Sequence, residues 1–190
     1  MAKTEGEDKE PDNIFELKRT AKRSVTELNQ EELIGWVVER LNLIEEIMTS
    51  IITLRIEPKE RKIFRDIIMN SNVVHYGAKL KILKNLGYPK SLIENLRTLS
   101  IIRNGFAHNV IGNINKFEIT GGNGHPYTSK VTKLGAKMKV MKSDGIIDER
   151  DIGIYILEFL KVYNKTTVEL EEERQKLWKE YQEKQKSQNL

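Results

Sequence analysis

Arg103, Asn104 and His108 fall within six residues, in the stretch from Leu99 to His108, and a basic, glycine-containing segment follows them. An imidazole, with an ordinary pKa of about 6.5, moves protons near neutrality. A guanidinium is always charged and holds a phosphate through its planar fork. These are the groups that cutting RNA without a metal requires: a 2′-hydroxyl attacks the neighbouring phosphate while charge builds on the phosphoryl oxygens. Asn104 can orient the imidazole or hydrogen-bond the phosphate.

The spacing sets a condition on this chemistry. On a helix, Asn104 and His108 lie four residues apart on one face, whereas Arg103 lies about 140° round the axis from His108. Arg103 and His108 can converge through the arginine's reach, through a helix that ends near Gly105, or across two subunits. The alternative is structural. Arg103 caps or ion-pairs at a helix C-terminus, where cations are favoured by the dipole, and His108 bonds to the backbone there.

Other residues offer less. His75, beside Val74 and Tyr76, reads as a partly buried structural histidine. His125, Pro126 and Tyr127 form a turn that can stack on a base or can bury its aromatic underneath. Lys130, Lys133, Lys137, Lys139 and Lys142 are candidate RNA-binding residues, or else an edge that uses lysine against aggregation. With no cysteine and three scattered histidines, no metal site and no cofactor are expected.

The pattern Arg103, polar Asn104, three further residues and His108, flanked by Ile101, Ile102 and Ala107, resembles the Arg-x4–6-His signature of the HEPN superfamily. These are small helical bundles, many of them metal-independent ribonucleases. The resemblance covers roughly residues 30–108 and the following helix. It implies an HEPN-like helical bundle in which Arg103 and His108 act at a homodimer interface and leave RNA with a cyclic phosphate. Family toxins paired with nucleotidyltransferase antitoxins typically carry a tyrosine two residues after the histidine. That position is Val110 here, so the resemblance leaves a free-standing protein of a toxin, defence or stress system. Because some members are scaffolds, a non-catalytic interaction domain is the second reading. A regulator that binds nucleic acid without cutting is the third.

The elements that must position these residues read as mainly α. Residues 1–12 are polar and charged, a disordered tail. A capping-type start at Asn13 leads into a short charged helix over about 13–26, and Asn29 with Glu32 offers a second start. Ile34, Val37, Val38, Leu41, Ile44, Met48, Ile51 and Ile52 keep helical spacing up to Pro58. Ile63, Phe64, Ile67 and Ile68 make one apolar face of the next helix, which Asn70 to Asn72 interrupts and Gly87 with Pro89 stops. Ser91 with Glu94 reads as the cap of the motif helix, whose core side is Leu92, Ile93, Leu96, Leu99, Ile102 and Phe106. Residues 109–146 form a basic, β-prone, hairpin-like insertion of two or three strands. A long helix from about Asp148 follows, and its polar part over 171–190 projects or pairs with a partner. The single bundle domain spans 13–170.

Composition bounds the class. The 190 residues are 38% apolar and 32% charged, a soluble profile with one core. No run approaches the roughly 20 apolar residues of a membrane span, and no signal peptide is legible, so a cytoplasmic setting is expected. The net charge is +4, but between Asn109 and Lys142 six lysines face Glu118 alone, a field that attracts polyanions. The apolar stripes exceed what one small bundle covers, which predicts a homodimer.

Overall fold

The computed structural model describes residues 24–108, 110–111, 117–122, 125–129, 136–141 and 144–188. The tail and most of the first expected helix lie outside these residues. So do Lys130, Lys133 and Lys142.

The fold is mainly helical. Strand β1 (Ser24–Leu28) leads into α1 (Gln30–Ile56), followed by a short α2 (Arg61–Ile63) that runs on as a π-helical turn, Phe64–Ile68. Helices α3 (Tyr76–Asn85) and α4 (Lys90–His108) come next, then β2 (Val110–Ile111), β3 (Phe117–Gly122), β4 (His125–Thr128), β5 (Lys137–Met141) and β6 (Ile147–Asp151). The long α5 (Ile152–Gln188) follows. Helices α1, α4 and α5 pack pairwise, with α3 against α1 and α4.

Helix α1 starts where the sequence marks it. Asn29 Oδ1 accepts from the Glu32 amide at 3.0 Å, and the Glu32 carboxylate accepts from the Asn29 amide at 2.8 Å, a complete capping box. Six of the eight stripe residues, from Val37 to Ile52, are buried, while Ile34 and Val38 are half-buried. They meet Leu96, Leu99 and Phe106 of α4 and Ile156 and Phe159 of α5 in one core. Lys79 is also inside, 2% exposed, with its ammonium 2.7 Å from Glu45 Oε1, and Ser71 donates to the same oxygen. A buried lysine is tolerated only with such a partner.

Several expectations are corrected. Residues 24–28 extend as a strand against β3, with Ser24 opposite Gly121 and Leu28 opposite Phe117, so the helix expected up to 26 does not reach them. The insertion does not form one hairpin: its strands β2 to β5 divide between two three-stranded antiparallel sheets, β1-β3-β4 and β2-β5-β6, whose third strands β1 and β6 lie outside it. Ile147–Asp151 pairs with β5, so α5 starts at Ile152 and not near Asp148. Asp151 Oδ1 accepts from the Gly153 amide at 2.8 Å and so caps α5. Ser91 does not cap α4. The helix begins one residue earlier, and the Ile93 amide donates to the Pro89 carbonyl. Ile63, Ile67 and Ile68 do not form a core face; each is at least 45% exposed, and only Phe64 of that set turns inward.

The polar end of α5 does not project freely. Arg174 and Glu171 are buried as a two-bond pair, and Leu177 is buried. The Arg61 guanidinium lies 3.9 Å over the Tyr181 ring, and Lys184 pairs with Glu57 at the end of α1. No helix among the described residues is long and apolar enough to cross a membrane.

Candidate active site

The site stands on the last turns of α4. That helix runs unbroken through His108, so an early helix end at Gly105 is not how Arg103 and His108 converge. Gly105 has another role. It is buried under β5, and a Cβ there would lie 2.9 Å from both Met138 Sδ and Val140 Cγ2. Glycine lets the strand lie directly on the helix. Met138 and Val140 face inward on β5, while Lys137, Lys139 and Met141 alternate outward.

Arg103 is half-buried, near enough to Tyr76 at the start of α3 for its charge to act on that phenol. Its NH1 donates to Asn104 Oδ1 at 3.0 Å, and its Nε is buried without a partner among the described residues. No carboxylate pairs with it there. The Tyr76 hydroxyl donates to the Leu96 carbonyl at 2.9 Å, two turns back along the same side of the helix. Burial, then the charge of Glu45, push the Tyr76 phenol far above its ordinary value, against the opposing pull of the Arg103 guanidinium. Tyr76 is thus a neutral donor beside the motif's cation, a residue that the sequence reading passed over as a neighbour of His75.

Asn104 and His108 are both exposed, one turn apart on the outer face. His108 has no hydrogen bond or ion pair among the described residues. The structure therefore brings Arg103 and Asn104 together and leaves His108 open beside Asn104. Within one copy, Arg103 and His108 leave the helix on different sides.

The remaining candidates separate. Lys137 and Lys139 point outward, but Glu149 lies between them at 3.3 and 3.6 Å, and Lys137 first among its partners holds that carboxyl below its usual range. His75 is exposed rather than partly buried. It caps α3, its Nδ1 accepting from the Ala78 amide at 3.3 Å. Tyr127 belongs to strand β4 and packs underneath, 5.0 Å from the Trp36 ring and 5.9 Å from Tyr163. The Asn164 side chain accepts from the Tyr127 amide and donates to its carbonyl, at 2.9 and 2.8 Å, pinning the strand edge. The aromatic is thus committed to the interior.

A cleft of about 400 Å³ between the α3–α4 turn and α5 has polar walls that satisfy one another. Arg55 and Tyr88 both donate to Glu173, at 2.8 and 3.0 Å. Among the described residues no group of three or more His, Asp or Glu is placed to hold a metal ion. Compared with family models, curated proteins and solved structures, the chain matches none.

Proposed function

We propose that the chain is a metal-independent endoribonuclease of HEPN type, acting as a homodimer whose site combines two copies of the Arg103–His108 turn. A toxin, defence or stress system in the cytoplasm is the setting that fits it. One observation carries the reading: His108 is exposed and unengaged one turn from Asn104, whose oxygen holds a guanidinium without a carboxylate partner among the described residues. A purely structural Arg and His at a helix end would be expected to be engaged with acids or backbone.

In this mechanism one His108 takes the proton from a 2′-hydroxyl as its oxygen bonds to phosphorus. A second copy's imidazolium gives a proton to the departing 5′-oxygen, so the products are a 2′,3′-cyclic phosphate and a 5′-hydroxyl. Arg103 and the Asn104 amide stabilise the charge on the phosphoryl oxygens. Two copies about a two-fold axis also supply what the divergence of Arg103 and His108 denies to one.

The non-catalytic scaffold is the second reading. The half-burial of Arg103 and the Glu149 contacts of Lys137 and Lys139 favour it. The test is purified protein with mixed single-stranded RNA, wild type against His108→Ala, with and without EDTA. Cleavage to cyclic phosphate ends by wild type alone, indifferent to EDTA, is the expected result. Cleavage that survives His108→Ala or needs added metal sinks the mechanism, and a monomer by light scattering at micromolar concentration sinks the composite site.

A further inference from the structure

The outer face of α4 continues beyond the motif. Arg97, Ile101, Asn104 and His108 fall within about 60° of arc, and this face includes Glu94 and Lys90 nearer the helix start. Those two engage each other at 3.8 Å. Arg97 is exposed and has no acidic partner among the described residues. It is the first uncommitted cation met on this face before the motif. Ile101, half-buried, lies between it and Asn104 and offers an apolar surface to a ribose or base. Asn104 gives its carbonyl oxygen to Arg103 and keeps its amide N–H groups to donate. Along the axis Arg97 stands roughly 10 Å from Asn104 and 16 Å from His108, a span of a few nucleotides that the arginine's length shortens further.

Resting on the ribonuclease reading above, we propose that this face is the track for single-stranded RNA flanking the cut, and that Arg97 holds a phosphate a few nucleotides from the one attacked. Acceptor-rich phosphates meet, in order, an exposed cation, an apolar step, an amide donor and an imidazole. The lysine sheet has no such order, because Glu149 sits in its row. Arg97 is therefore a binding residue, with its effect on affinity rather than on the chemical step.

The experiment measures binding of a labelled single-stranded RNA of mixed sequence to the His108→Ala protein, which leaves the RNA whole, across a salt series. Arg97→Gln in that background should weaken binding roughly three- to tenfold near 0.1 M salt and flatten the salt slope by about 0.7, one phosphate contact. Arg97→Lys should restore most of both, and Lys90→Gln should change neither. Unchanged affinity and slope in Arg97→Gln overturn the proposal, even if wild type cuts RNA. A weakened Arg97→Gln with no cutting by wild type upholds the contact and rejects the ribonuclease reading. Absence of any RNA binding at micromolar protein overturns both.

Discussion

Arg103 donates to Asn104 through side-chain atoms 3.0 Å apart, so among the described residues a neutral neighbour, and no carboxylate, orients the motif's cation. Neutrality matters here. Asn104→Asp would replace the amide oxygen with a charged acceptor and compensate the guanidinium where a phosphate must meet it. Cleavage should fall at least about tenfold in kcat/KM, with folding unaffected. Asn104→Asp activity equal to wild type would show that Arg103 does not serve the phosphate.

Gly105 is the second sensitive position in the motif. A methyl group there meets Met138 and Val140 at 2.9 Å. Met138 can swing aside but β-branched Val140 cannot, so Gly105→Ala should lose about 1–3 kcal/mol in urea unfolding. Adding Val140→Ala should recover part of that loss, because the two changes share one space. Strictly additive losses would mean that the strand does not rest on the helix there.

The two outward lysines of β5 are held by one acid, and Glu149→Gln would release both. If they touch phosphate in the complex, RNA affinity should rise about threefold at low salt, and the gain should fade as salt is raised. Lys137→Gln with Lys139→Gln should then flatten the salt slope by up to roughly 1.4. No change in either variant assigns the row to the protection of a sheet.

Alkaline stability should depend on Tyr155. Burial first, then the charge of Asp148, push its phenol up to about 12, and its hydroxyl donates to the Asp148 carbonyl at 2.9 Å. A folded-state value above the unfolded one near 10 means stability that is fully present below about pH 10 and is lost as pH rises toward 12. Tyr155→Phe should cost about 1 kcal/mol at neutral pH and remove part of the decline in that window. Urea midpoints of the two proteins at pH 8, 10 and 11.5 read this directly, and parallel curves would refute it.

The motif helix was legible because its information is local. Leu92, Ile93, Leu96, Leu99, Ile102 and Phe106 repeat at helical spacing, and all six are buried. The Asn29–Glu32 start was equally local. What could not be read depends on distant partners. Ser24–Leu28 becomes a strand because β3, some ninety residues on, accepts it. Ile147–Asp151, Ile-Asp-Glu-Arg-Asp, looks like a charged helix start until β5 pairs with it and Tyr155 and Arg150 fix it. Ile63, Ile67 and Ile68 have helical spacing, but nothing in this chain covers them among the described residues. At the site, the pattern located His108 and Asn104 on one face, yet it held no sign that Tyr76 lies by Arg103 or that Gly105 admits a strand.

The pairwise packing of α1, α4 and α5 sets an order of events during synthesis. Helix α1 leaves the ribosome early, with Leu33 to Ile52 in search of cover, but the residues of α5 that supply it begin only at Ile152. At typical elongation rates of about 5–20 residues per second, the start of the first apolar stripe waits roughly 6–24 s for the first residue of α5. β1 gains β3 and β5 gains β6 before α5 begins, but the helix bearing Arg103 and His108 still lacks one of its packing partners until α5 arrives. The turn bearing Arg103 and His108 therefore gains its full support only once α5 has been made and packs against α4.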